Sequence, residues 1–283
     1  MRLSITPQAE QLIDQALSED LSSGDATTEA LIPKTQQGKA SIIAKAKGTI
    51  AGTEIAREVF LKVDPELKID ILIEDGTEVK PRDIIAKMEG KVASILKAER
   101  VALNFLQHLS GIASETARYI QAIKGLPVQI TDTRKTTPGL RALEKYAVRA
   151  GGGKNHRMHL GDGILIKDNH LAAFRHQGLN IKQIIDKARQ KSPPNLKIEI
   201  EVKNPQEAAE AVDAGADIIM LDNMNLEDMR KAVQLIKGRA LIEASGGITL
   251  DRVRAVAETG VDLISIGALT HSPKALDISL ELD

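Results

Sequence analysis

Between Thr131 and His170 the chain carries eight Lys/Arg (Arg134, Lys135, Arg141, Lys145, Arg149, Lys154, Arg157, Lys167) against four acids (Asp132, Glu144, Asp162, Asp168). That is +4 locally in a chain of net charge −1, so the rest of the sequence sums to −5. A cationic cluster of this density repels itself unless an anion or solvent relieves it. Three of the six histidines, His156, His159 and His170, fall in the same stretch beside Gly151-Gly152-Gly153. Lys and Arg suit carboxylates and phosphates, and Arg offers a bidentate fork. His156 and His159 have a spacing that a metal could use, but without Cys and with Gly153 and Gly161 close by they lack the partners of a closed zinc site. His156 reads instead as an anion-binding donor or general acid, and His159 as a loop residue. Arg141, Lys145 and Arg149 recur every four residues, which predicts a solvated helix face or a dimer contact.

The elements that must hold these side chains have a regular rhythm. Apolar runs at Val128–Thr131, Ile164–Lys167, Lys197–Val202, Asp217–Leu221, Ala240–Glu243 and Leu263–Ile266 read as strands, with helical stretches between them. Asn204-Pro205-Gln206-Glu207 and Asn225-Leu226-Glu227-Asp228 look like helix starts, and Thr249-Leu250-Asp251 repeats the theme. Strand, short loop and capped helix repeated about six times predict a parallel α/β barrel. In that architecture every strand ends on one face, so the residues at the stops meet at one mouth. Arg134, Lys135, Arg157 and Lys167 bring positive charge there, and Glu201 and Asp222 bring negative charge. Ser245-Gly246-Gly247 and Gly267 are small, as a phosphate cradle built from backbone N–H groups requires. The pair of acids suits ribose hydroxyls, a divalent cation or a cationic transition state. Asp168 reads as a rim ion-pair partner. Together these residues point to a substrate with a terminal phosphate, further anionic groups and a sugar-like centre.

The first ninety residues mix short strands and helices. Thr6-Pro7 opens a helix, Gly38–Lys47 and Leu67–Ile73 read as strands, Thr53–Val63 as a helix and Val79–Met88 as another strand. Ala93–Ile123 is a long apolar-periodic helix, expected to bend or break near Ser110-Gly111 and to cross between two domains.

At 283 residues the chain suits one large domain or two moderate ones. Its near-zero net charge argues against a nucleic-acid binder that works by neutralising phosphates, and three Phe, two Tyr and no Trp leave little for base stacking. The lack of Cys excludes disulfides, thiolate metal sites and Cys nucleophiles. No apolar run nears the roughly 20 residues that span a bilayer, and the N-terminus lacks a signal pattern, so a cytoplasmic location is expected.

The stretch TDTRKTTPGLRALEKYAVRAGGGKNHRMHLGDGILIKDNH resembles the quinolinate phosphoribosyltransferases. ALSEDLSSGDATTEALIP, ERVALNFLQHLSGIAS, EVKN, MLDN, EASGGI and ISIGALT extend the resemblance over almost the whole chain. It implies an N-terminal α/β sandwich domain (1–108, with the tail 269–283 packed against it) and an incomplete, TIM-like α/β barrel (109–268). It also implies a homodimer, with association as far as a hexamer left open. The implied reaction joins quinolinate to phosphoribosyl pyrophosphate with Mg²⁺, releasing pyrophosphate and CO₂ and leaving nicotinate mononucleotide, a step in NAD biosynthesis. By motif, Arg134, Arg157 and Lys167 would hold the quinolinate carboxylates, with Thr133 and His156 nearby and Arg100 reaching in from the partner subunit. Lys135 would serve the phosphoribosyl pyrophosphate. Glu201 and Asp222 would face the ribose and the metal, directly or through water. Ser245, Gly246, Gly247, Ile266, Gly267 and Ala268 would take the 5′-phosphate. Lys135, Lys167, Glu201 and Asp222 are the implied catalytic set. Ala150 and Lys154 depart from the family's frequent Cys and His without touching this set. A paralogous transferase using another base, and a non-catalytic phosphate-binding barrel, are the competing readings.

Overall fold

The computed structural model describes residues 3–175 and 178–283, and the chain divides into two units. The first comprises the chain up to Ala117, Thr136–Gly152 and Leu269–Asp283; the second comprises Arg118–Lys135 and Gly153–Ala268. In chain order the elements begin α1 (Pro7–Leu21), α2 (Ala26–Leu31), β1 (Gln37–Ala44), β2 (Gly48–Thr49), α3 (Thr53–Val63), β3 (Lys68–Ile71), β4 (Glu78–Val79), β5 (Ile84–Lys91) and α4 (Val92–Ala122). Then come β6 (Gln129–Thr131), α5 (Arg141–Ala150), β7 (Ile164–Ile166), α6 (Asp168–Arg175), α7 (Ile181–Lys191), β8 (Ile198–Val202) and α8 (Pro205–Asp213). The chain closes with β9 (Ile218–Asp222), α9 (Leu226–Ile236), β10 (Leu241–Ser245), α10 (Val253–Ala257), β11 (Leu263–Ser265), α11 (Ala268–His271) and β12 (Ile278–Leu282).

In the first unit β12, β1, β5 and β3 form an antiparallel sheet in that order. Thr6 starts α1 by accepting the Ala9 amide at 3.2 Å, with Pro7 in the first turn as the sequence suggests. Three local expectations change. The strand expected over Val79–Met88 is two strands, because Pro81 has no N–H to give a ladder and Arg82 turns the chain at φ 77. The break expected in α4 is absent. Ser110 Oγ accepts from Ala51 N at 3.0 Å and donates to Ala51 O at 3.2 Å, while Gly111 admits the Lys274 carbonyl where a Cβ would collide. Small residues here serve close packing. Finally, the Arg141/Lys145/Arg149 stripe is not a solvated face, since Lys145 is fully buried within α5 while Arg149 is exposed.

The second unit holds six parallel strands in the order β6-β11-β10-β9-β8-β7. All six lie where the apolar runs predict. β6 and β7 form the two ends of that order, so the barrel is incomplete. Ile198, Ile200, Val202, Ile219, Leu221, Ile242 and Ala244 are buried, as expected of strands covered on both faces. Asn180, Asn204 and Asn225 cap α7, α8 and α9 through their side chains. Thr249–Asp251 forms only a turn ahead of α10. Among the described residues no helix is long and apolar enough to cross a membrane.

Candidate active site

Polar residues interrupt the apolar strands of the second unit at a period of two, so they share one face. On β8 these are Glu199 and Glu201, and on β10 Glu243 and Ser245. The register sets Glu201 and Glu243 on either side of Met220, and Asp222 beside Ser245. β8, β9 and β10, joined by Ser265 of β11, thus aim acids and hydroxyls into one cavity of about 600 Å³, a size suited to a small-molecule ligand. Thr133, Arg134, Lys135, His156, Arg157, Lys167, Glu201, Asp222, Ser245, Gly246 and Gly247 all line it. Ile266, Gly267 and Ala268 follow β11 but are not among the lining residues, whereas Ser265 is. Arg100 is not among the lining residues. It lies on α4 in the first unit, with a side chain 60% exposed and Glu99 at 3.9 Å.

The cationic wall is built from β6 outward. Lys154 runs beside β6, donating its amide to Ile130 O at 2.9 Å and receiving the Asp132 amide at 3.2 Å. Buried Asp132 then accepts from His156 N at 2.9 Å and Asn155 Nδ2 at 2.5 Å. This clamp delivers His156 and Arg157 to the cavity. Asp162 accepts the Met158 and His159 amides at 2.9 and 2.8 Å, closing the turn behind Arg157, whose Nη1 donates to Gly163 O at 2.8 Å. Burial, then the neighbouring charge of Arg134, lowers the Arg157 pKa. Arg134 Nε is buried and has no hydrogen-bond partner among the described residues. Two guanidiniums held together, with one donor unsatisfied, form a site that an anion completes.

Beneath this wall His156 Nε2 lies 3.1 Å from Glu199 and 3.4 Å from Glu243, both acids being at most 5% exposed at the side chain. Burial disfavours a charged ring, but the hydrogen bond to Glu199 and the charges of both glutamates outweigh it and move the His156 pKa upward. The Arg157 amide opposes the rise, because it donates to Nδ1 at 2.9 Å and a doubly protonated ring has no lone pair there. Burial likewise raises the Glu199 pKa, with the His156 hydrogen bond working against it. The three ligand atoms lie within 4.8 Å of one another, close enough for a metal. In the neutral ring, with Nδ1 accepting, and in the charged ring alike, however, a proton sits on Nε2, the atom a metal would need. The cluster is therefore a buried ionic floor, in which neither Glu243 oxygen has a hydrogen-bond partner among the described residues. The zinc pairing of His156 with His159 is not formed, since His159 is an exposed residue ahead of the 160–162 turn.

Glu199 and Glu243 carry no role in the motif reading. Their signal was present as acids alternating with Ile and Ala inside strands that should be uniformly apolar.

At the end of β8, Glu201 accepts the Asp168 amide at 3.3 Å, and Asp168 pairs loosely with Lys203 at 3.7 Å. Burial raises the Glu201 pKa, with the nearby charges of Asp222 and Asp168 adding to the rise and the Asp168 amide and Lys167 opposing it. A carboxylate with a raised pKa loses its charge at higher pH. The acid limb of kcat/KM is thus expected above pH 4.5 and should move to lower pH in Asp222→Asn, which removes one repelling charge. An unmoved limb in a pH–rate series of that variant would separate Glu201 from Asp222.

A family model described as quinolinate phosphoribosyl transferase, C-terminal domain, matches residues 112–281, and the corresponding N-terminal domain model matches residues 25–110. The chain is 43% identical to a probable nicotinate-nucleotide pyrophosphorylase [carboxylating] of Bacillus subtilis, covering 97% of this chain and 93% of that protein. It is 41% identical to the mitochondrial quinolinate phosphoribosyltransferase [decarboxylating] 2b of Nicotiana tabacum over 98% of this chain and 83% of that protein. The crystal structure of NadC from Streptococcus pyogenes superposes with a TM-score of 0.94 at 44% identity, covering 100% of this chain and 99% of that one.

Proposed function

Since the chain belongs to the quinolinate phosphoribosyltransferase family, we propose that it transfers phosphoribose from phosphoribosyl pyrophosphate to the ring nitrogen of quinolinate, with loss of CO₂. Nicotinate mononucleotide and pyrophosphate are the other products. The observation that carries this reading is the paired guanidiniums of Arg134 and Arg157 lining one cavity with Glu201 and Asp222.

Arg134, Arg157 and Lys167 hold the two carboxylates of quinolinate. As pyrophosphate leaves the anomeric carbon, positive charge develops on the sugar, and Glu201 and Asp222 stabilise it. Lys135 neutralises the departing pyrophosphate. Once the ring nitrogen is quaternary, the carboxylate beside it departs as CO₂, and its electron pair stays on a carbon next to that cationic nitrogen. Lys167 and the arginines add to the stabilisation, and the carbon then takes a proton. No covalent enzyme intermediate is needed. Glu201 and Asp222 also fit Mg²⁺, a hard cation that takes carboxylate oxygens and relieves the mutual repulsion raising the Glu201 pKa. Such an ion would supply charge neutralisation to the pyrophosphate.

The reading carries a cytoplasmic homodimer in which Arg100 serves the partner's site. Mixed dimers of Arg100→Ala and Lys167→Ala should then recover up to about a quarter of wild-type activity, because one site in each heterodimer has both residues. Mixing that restores nothing, with subunit exchange verified, contradicts shared sites. The base itself is tested by offering quinolinate and nicotinate in competition. Quinolinate should be consumed and nicotinate ignored, whereas preference for nicotinate moves the chain to a paralogous activity.

A further inference from the structure

Three described non-glycine residues have positive φ, and of these only Asn223, at φ 54, lines the active-site cavity. Asn tolerates this region better than most residues, yet such backbone persists only where its surroundings enforce it. Three contacts do so. Its amide donates to Ser245 O at 2.9 Å, continuing the ladder by which Asp222 sits beside Ser245. Its Nδ2 donates to Asp222 Oδ1 at 3.0 Å. Its side-chain amide also fills the space that Gly246 leaves open, where a Cβ would collide with Asn223 Oδ1. Gly246 and Gly247 follow at φ 90 and 59, conformations that turn the chain sharply below the strand end.

We propose that Asn223 is a positioning residue that fixes the span between the Asp222 carboxylate and the Ser245–Gly247 turn, and thereby selects a terminally phosphorylated pentose. This rests on the phosphoribosyl reading of the cavity. One amide grips the acid that faces the sugar and wedges the glycine turn that receives the phosphate. The two subsites therefore move as one piece. A sugar lacking the phosphate, or longer by a carbon, meets only one of them in register.

The test uses Asn223→Gly, which keeps the backbone at positive φ without strain and removes only the side-chain contacts. It should raise KM for phosphoribosyl pyrophosphate about 10- to 100-fold, the effect of losing a hydrogen bond to a charged group, with KM for quinolinate within about twofold. Calorimetry should show weaker binding of ribose 5-phosphate by a similar factor and reduced discrimination against ribose. Unchanged donor KM and ribose 5-phosphate affinity would overturn the proposal. Gly246→Ala supplies a second arm, because its methyl collides with the Asn223 amide. Asn223→Gly/Gly246→Ala should bind ribose 5-phosphate more tightly than Gly246→Ala alone. Additive losses would also overturn the idea, because residues in contact should couple. Wild-type protein that binds ribose 5-phosphate but turns over no quinolinate would count against the reaction, while the binding comparisons still decide the role of Asn223.

Discussion

Arg157→Ala is expected to lower kcat/KM for quinolinate by about 10³-fold, equivalent to about 4 kcal/mol of lost transition-state binding. The size follows from the position of the guanidinium. It is partly buried, held by Gly163 O at 2.8 Å, and forced next to Arg134 against their mutual repulsion. Truncating one member of such a charge pair in a ligand complex typically costs 2–5 kcal/mol. The substrate's two carboxylates favour the upper part of that range. The fold should survive, because Asp132 and Asp162 hold the loop through backbone amides that the substitution leaves intact. Arg157→Lys keeps the charge but loses the fork, and should recover part of the activity. Wild-type kinetics in Arg157→Ala, with an unchanged thermal midpoint, would remove the carboxylate clamp from the mechanism.

The second large effect concerns stability. His156→Ala leaves Glu199 and Glu243 buried together without the ring that both approach. Breaking a buried charged cluster by removing one member typically costs 3–5 kcal/mol. For a chain of this size that is a fall in thermal midpoint of about 6–20 °C. Adding Glu243→Gln should restore much of the loss, since it removes the carboxylate left uncompensated. The pH dependence has a definite sign. Both the Glu199 and the His156 pKa values are raised on folding, so the folded state binds more protons over the affected range. The stability these groups contribute is present below their unfolded values and is lost as pH rises, from 4.5 upward for Glu199 and from 6.5 upward for His156. Differential scanning at several pH values checks this. A His156→Ala protein as stable as wild type at pH 7 would contradict the floor's role.

The barrel was legible because its strands announce themselves. Six apolar runs, each ending near a charge or a glycine, became the six parallel strands, and the residues at the ends of five of them line the cavity, Gly267 being the exception. The asparagine starts of α8 and α9 were equally plain, since a cap is a local interaction between residues three apart. What failed depended on partners distant in sequence. Ser110-Gly111 looks like a helix breaker until Ala51 and Lys274 are placed against it. Lys145 looks solvated by its spacing, yet tertiary packing buries it. Glu199 and Glu243 were visible as acids in apolar strands, but their meaning came only when the Lys154–Arg157 segment brought His156 over them. Asn223 had no signal beyond its place after Asp222. Its role depends on a backbone angle and on a glycine more than twenty residues away.

The coupling of glycosyl transfer to decarboxylation in one cavity is checked by CO₂ release from carboxyl-labelled quinolinate, with phosphoribosyl pyrophosphate and Mg²⁺ added or withheld in turn. Release is expected only when all three are present, in step with the formation of nicotinate mononucleotide. Release without phosphoribosyl pyrophosphate, or transfer to quinolinate with both carboxylates retained, would contradict it.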